Sequence, residues 1–235
     1  MQVWKTQVRV YTDGIRKLPD SVTCSLFEED VKIYIVVRSD ADKVNLQSAL
    51  DRISDWSVKW QMPISAKKCS VTVYGKSVTI TKPYYLCGCR LKFRDIVKDL
   101  GVTMNCNLQF TEHINCIVGK AHSRAYLIRK RFMSRNPLLL MRAFNTYVRP
   151  LLENASPVWS PQYNYLIDKI ESVQRRFTKR LPGYISIDYP TRLISLEQCS
   201  IEKRRIVHDL VLMYKFVFKL VVPVYVHFIL VCVHF

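Results

Sequence analysis

The stretch Leu26-Phe27-Glu28-Glu29-Asp30-Val31-Lys32-Ile33-Tyr34-Ile35-Val36-Val37 decides how this chain is read. Val31, Ile33, Ile35 and Val37 alternate with Lys32, Tyr34 and Val36, the period of two expected of a strand with one buried face. Val22 to Phe27 is a second strand-like run, so Glu28, Glu29 and Asp30 fall at the tip of a β-hairpin, in solvent at one end of a sheet. Hard divalent cations prefer oxygen ligands. Paired carboxylates on such a turn can hold two Mg²⁺ ions roughly 3.5–4 Å apart, the spacing used for in-line phosphoryl and nucleotidyl transfer. An ordinary solvated acidic turn has the same spelling.

The acidic tip stands out against its chain. The 235 residues carry a formal net charge of +17, and a content of 49% hydrophobic and 23% charged residues is that of a folded protein with one or two modest cores. Six glycines and ten prolines leave little room for long flexible linkers. The N-terminus lacks a basic segment followed by an apolar core, so no secretory signal is expected. Eight cysteines include Cys87-Gly88-Cys89, then Cys106 and Cys116 with His113 three residues before it. These spacings do not match the paired knuckles of structural zinc sites and read as free thiols of a reducing compartment.

After the hairpin, Ala41 to Trp60 places Val44, Leu46, Leu50, Ile53, Trp56 and Trp60 at helical spacing, with Ser39 and Asp40 as candidate caps. Ile64 to Tyr74 alternates as a strand, and Tyr84 to Leu91 with Asp95 to Val102 reads as a hairpin. From Glu112 the pattern turns helical. Ile114, Ile117, Val118, Ala121, Ala125, Ile128 and Phe132 form one apolar stripe, and Lys120, Arg124 and Arg131 a neighbouring basic one. A helix from Leu138 to Leu152 buries Leu140, Phe144, Tyr147, Val148 and Leu151. A third, Tyr165 to Leu181, turns Ile167, Ile170, Val173 and Phe177 inward and Lys169, Arg175, Arg176, Lys179 and Arg180 outward. Between residues 111 and 180 the cations outnumber Glu112, Glu153, Asp168 and Glu171. Such a surface attracts phosphate backbones through counterion release, although a merely solvated cationic face has the same composition.

Several segments together resemble the reverse transcriptase of non-LTR retrotransposons of the jockey and CR1 type. They are residues 18 to 34 and 46 to 57, Lys-Lys-Cys-Ser-Val (67 to 71), Val-Lys-Asp-Leu-Gly-Val-Thr (97 to 103) and Ala-Tyr-Leu-Ile-Arg-Lys (125 to 130). Tyr-Val-Arg-Pro-Leu-Leu-Glu (147 to 153), Ala-Ser-Pro-Val-Trp-Ser-Pro (155 to 161) and Glu-Ser-Val-Gln-Arg-Arg-Phe-Thr-Lys-Arg-Leu-Pro-Gly (171 to 183) complete the set. They follow the family's order and cover roughly residues 18 to 220. The resemblance implies an α+β fold: a partial polymerase palm over residues 18–110, with a small antiparallel sheet and a packed helix, then a helical thumb over 111–215. Residues 1–17 match nothing in the family, as in a copy cut at its 5′ side.

By the same resemblance, Asp30 and Glu29 would hold Mg²⁺ and carry catalysis. Lys68, beside Lys67, would protonate the departing pyrophosphate, unless the two are only a solvated basic pair. Residues 84–102 would grip the primer end, and Lys120, Arg124, Arg131, Lys169, Arg175, Arg176, Lys179 and Arg180 would contact an RNA or DNA primer-template through its backbone. The family usually writes Phe-Ala-Asp-Asp where this chain has Phe27, Glu28, Glu29 and Asp30. Glu29 carries its carboxylate one methylene further out, and a misplacement of about 1 Å can cost on the order of 100-fold in rate. Glu28 adds a third charge, whose repulsion opposes ionisation. The family's upstream metal-binding aspartate and Pro-Gln-Gly loop have no counterpart, since Asp13-Gly14 reads as a turn. Mg²⁺ is therefore expected to be weakly bound or lost.

Phe216 to Phe235 is apolar over about the roughly 20 residues that a bilayer requires, but Lys219, Pro223, His227 and His234 interrupt it. It reads as an apolar tail (216–235), sticky or poorly ordered, rather than a membrane span. The chain is expected to be a truncated, catalytically impaired RNA-directed DNA polymerase domain of the nucleus or cytoplasm. The alternative is a non-catalytic nucleic-acid-binding remnant.

Overall fold

A computed structural model of the chain describes residues 18–19, 21–27, 30–75, 83–221 and 229–234. It is of the α+β class, as expected, and divides into two compact units. The first comprises residues 1–97, 105–108 and 225–235, the second residues 98–104 and 109–224.

The hairpin is present in the first unit. Strands β1 (Val22–Phe27) and β2 (Asp30–Ile35) pair antiparallel from Val22 opposite Ile35 to Phe27 opposite Asp30. Val31, Ile33 and Ile35 are buried, as their alternation requires. Helix α1 (Asp40–Lys59) buries Leu46, Ala49, Leu50, Ile53 and Trp56 in the same apolar cluster. Each such side chain contributes about 1.5–3 kcal/mol when withdrawn from water. Ser39 is the N-cap, and the Asp42 carboxylate accepts the backbone N–H groups of Arg38 (2.9 Å) and Ser39 (2.8 Å), which holds its pKa below the usual aspartate value. Val44 and Trp60, which share the apolar spacing, are exposed.

Strand β3 (Ser70–Val73) is shorter than the alternation from Ile64 suggests, because Ala66–Lys68 forms a turn. The region that follows departs from the single hairpin expected. Tyr84 to Leu91 folds on itself as β4 (Tyr85–Leu86) and β5 (Cys89–Arg90). After β6 (Lys92–Phe93), strands β7 (Ile96–Asp99) and β8 (Val102–Asn105) make a separate two-stranded sheet. The turns explain it. Cys87 and Gly88 have φ of 50° and 72°, Leu100 and Gly101 have 44° and 88°, and two consecutive positive φ values form the two-residue turn that reverses a twisted strand at once. Gln47 of α1 fastens the first hairpin with two 3.0 Å hydrogen bonds to the backbone of Tyr85.

The apolar tail is also different from the expectation of a sticky or poorly ordered end. Ile229–His234 forms strand β9 and occupies the middle of a five-stranded sheet of order β1-β2-β9-β3-β6. It runs antiparallel to β2, from Asp30 opposite His234 to Ile35 opposite Ile229, and antiparallel to β3, from Ser70 opposite Cys232 to Val73 opposite Ile229. Both backbone edges of a central strand find partners, and the Ile229, Val231, Val233 alternation suits such a position. No helix among the described residues is long and apolar enough to cross a membrane.

The second unit is helical: α2 (Thr111–Arg131), α3 (Pro137–Tyr147), α4 (Arg149–Glu153), α5 (Ser156–Trp159), α6 (Asn164–Lys179), α7 (Tyr189–Ser195) and α8 (Ile201–Val217). Asn136 caps α3, its Oδ1 accepting the N–H groups of Leu138 and Leu139. The single helix expected over 138–152 breaks at Val148, because Pro150 has no N–H to offer the preceding turn. The break leaves Tyr147 exposed, while Leu140, Phe144, Val148 and Leu152 are buried. Phe132, expected on the buried stripe of α2, lies past the helix end and is partly exposed. Trp159 is buried, donates from Nε1 to the Asn154 carbonyl (2.8 Å) and stacks obliquely on His113. His113 itself is a core residue whose Nδ1 accepts the Thr103 N–H at 3.2 Å.

Candidate nucleic-acid interface

The acidic tip is described only in part. Phe27 and Asp30 close the hairpin as opposed residues, whereas Glu28 and Glu29 lie outside the described residues. Carboxylates are the donors a hard cation prefers, so the chemistry of Asp30 and Glu29 suits Mg²⁺. Lys67 and Lys68 are exposed on the turn that precedes β3. Because β2 and β3 are both antiparallel to β9, they start at the same end of the sheet. The turn bearing Lys68 thus lies at the hairpin's acidic end, two strand spacings or roughly 10 Å across the sheet from β2.

The basic residues are all in the second unit, and all eight are exposed. The structure sorts them onto two faces. On α2, Lys120, Arg124 and Arg131 follow one stripe, and Arg124 Nη1 donates to the Tyr147 carbonyl at 3.2 Å, which turns that stripe toward α3. The opposite side of α2 meets α6. Lys169 Nζ donates to Asn115 Oδ1 at 2.6 Å, and Arg176 and Arg180 lie close enough to His122 for their charges to hold its pKa down, after burial as the larger cause. Arg175 is drawn aside: its guanidinium sits over the Tyr189 ring at 5.2 Å and 3.6 Å from the Asp168 carboxylate. The side chains of Arg131, Arg176, Lys179 and Arg180 make no hydrogen bond or ion pair among the described residues.

Electrostatic isolation is most complete on α2 and α3. From His113 to Val148 the chain has seven lysines and arginines and no aspartate or glutamate, and the next cation, Arg149, pairs with Glu153 at 3.7 Å. Within this stretch Arg124, Leu127, Ile128, Arg131, Phe132 and Tyr147 line an open concavity of about 300 Å³. Of these, the sequence pattern singled out Arg124 and Arg131 as binding residues. Phe132 and Tyr147 fit the expected apolar spacing, but Phe132 lies just past the end of α2 and Tyr147 is the last, exposed residue of α3. His122 carried no signal at all until α6 was placed beside it.

Comparisons with known proteins agree with the resemblance. The RNA-directed DNA polymerases from the mobile element jockey of Drosophila funebris and Drosophila melanogaster are 26% and 25% identical over 179 and 168 residues, 75% and 70% of this chain. An uncharacterized protein of Caenorhabditis elegans is 28% identical over 117 residues, 48% of this chain. The match spans 59% of the nematode protein's length and 18% of each jockey polymerase. No protein-family model matches the chain, and no solved structure matches it.

Proposed function

We propose, from the distant region like a non-LTR retrotransposon reverse transcriptase that the two jockey polymerases identify, that this chain grips nucleic acid through the basic faces of α2 and α6. In this reading the first unit descends from a polymerase palm and the second from its thumb. The observation that carries it is the seven cations of residues 113–148 with no carboxylate among them, joined by the unpaired side chains of Arg176, Lys179 and Arg180. Phosphates are the partner such a surface rewards, without regard to sequence and with strong dependence on salt. The protein would work inside the cell, in the nucleus or cytoplasm, on RNA or DNA primer-template. Anisotropy of a labelled RNA–DNA duplex at 50 mM and 200 mM salt tests this. Six contacts predict a fall of about 10³-fold, and an affinity indifferent to salt overturns the reading.

Catalysis is a separate matter. The ancestral RNA-directed DNA polymerase chemistry would rest on Asp30 and Glu29 as Mg²⁺ ligands, with Lys68 at the same end of the sheet. The Glu28-Glu29-Asp30 spelling, with a carboxylate one methylene further out and a third charge beside it, argues that this activity is impaired or lost. Mg²⁺-dependent primer extension that Asp30→Ala abolishes would establish residual activity. Salt-dependent binding without extension supports the non-catalytic reading.

A further inference from the structure

We propose that the concavity between the end of α2 and the end of α3 receives one unpaired nucleotide of the bound strand, its base against the aromatic wall and its phosphate on Arg131. The proposal rests on the nucleic-acid reading above and adds to it a preference that backbone contacts alone do not give.

Three observations point there. First, the hollow of about 300 Å³ is at the small end of ligand pockets, a size for one nucleotide rather than a duplex. Second, its floor and walls are apolar or aromatic and open to solvent: Ile128 is buried beneath, while Leu127, Phe132 and Tyr147 are 49%, 36% and 55% exposed. Third, its cations are unequal. Arg124 is engaged by the Tyr147 carbonyl and holds that wall in place, whereas the Arg131 side chain makes no hydrogen bond or ion pair among the described residues. No carboxylate occurs anywhere in the flanking stretch, so the hollow attracts anions and repels cations.

The partner must therefore offer a negative charge and a flat apolar ring within one small unit. A base-paired duplex presents the charge but keeps its bases stacked inside. An acidic peptide presents charge without the ring. An unpaired nucleotide presents both, and stacking on aromatic side chains beside a basic track is how single strands are held without sequence preference.

The full chain is titrated, at one salt concentration, with a blunt labelled duplex and with the same duplex carrying a four-nucleotide single-stranded overhang. The expected result is roughly tenfold tighter binding of the overhang substrate, the effect of stacking one base. Tyr147→Ala and Phe132→Ser should each remove most of that gain and leave the blunt duplex unaffected, while Tyr147→Phe keeps the ring and the gain. Arg131→Gln should weaken the overhang substrate more than the blunt one. Equal affinity for the two substrates, a gain that survives Tyr147→Ala, or equal competition by an acidic peptide overturns the proposal while leaving the basic-face reading standing. Failure of both substrates to bind overturns both.

Discussion

Tyr189 donates its hydroxyl proton to the carboxylate of Glu171, inside the helical unit. Glu171 is only 6% exposed, and its other oxygen accepts the Glu202 N–H at 3.2 Å. Burial, with the Glu171 charge beside it, pushes the Tyr189 phenol far above its ordinary range. The same carboxylate offsets the burial of Arg205, whose desolvation lowers its pKa and whose Nε and Nη1 lack hydrogen-bond partners. One acid thus ties α6, α7 and α8 together.

Glu171→Leu keeps the volume and removes the charge, leaving Arg205 buried without the largest of the three acidic compensations it has in Glu171, Glu202 and Asp209. The expected loss is about 3–5 kcal/mol, read from the urea midpoint of the helical unit. A midpoint close to that of the unmodified chain would mean that Glu171 holds nothing together.

Stability should fall on mild acidification. Burial lowers the pKa of His113, with Lys120 adding to it, and burial followed by Arg176 and Arg180 lowers that of His122. The unfolded chain then takes up protons before the folded one. Stability is complete above about pH 6.5, the unperturbed histidine value, and declines as pH falls below it. Tm measured between pH 7.5 and 5 should show the decline. His113→Gln, which offers Thr103 an acceptor that does not titrate, should flatten it.

The turn after β4 can be improved. Cys87 is exposed at a φ of 50°, and asparagine tolerates that conformation better than other side chains and favours a following glycine. Cys87→Asn should raise stability by about 0.5 kcal/mol, visible as a higher Tm. An unchanged or lower Tm would show that the backbone there is not under local constraint.

Val231→Pro removes a backbone donor from the centre of the sheet, where proline is not accommodated. The cost should be about 3 kcal/mol or more. Hydrogen exchange should show faster opening in β2 and β3, with α2 and α6 serving as the internal reference. Protection that persists in β2 would remove β9 from the sheet.

The sequence was most readable where structure is local. Most of the apolar stripe of α1, α2 and α6 sits where its periodicity put it, with Val44, Trp60 and Phe132 as the exceptions, and the β1–β2 pair follows from alternation alone. The outward basic residues were legible as exposed because charged side chains stay at a helix surface, although Arg124, Lys169 and Arg175 also find protein partners there. Glu171 was not: a glutamate on a cation-rich helix reads as solvated, and its burial depends on Tyr189 and Arg205 arriving from later helices. The two tight turns were missed because Cys87 and Leu100 are not residues that advertise positive φ. The hollow at Phe132 and Tyr147 was not legible, because it forms where the ends of α2 and α3 come together. The place of β9 is wholly non-local, since an apolar strand near the end of a chain carries no mark of its partners.

That placement also orders events in time. A ribosome delivers β1, β2 and β3 early, yet the strand that joins β2 to β3 emerges only after every helix of the second unit has been made. Until then the β1–β2 hairpin and the β3–β6 pair present two bare backbone edges, open to chaperones, to proteases and to strands of other chains. Closing the sheet needs contacts across most of the chain's length, which is a slow step. The helical unit is complete before the sheet that precedes it, so the helices should be the first part of the chain to fold during synthesis.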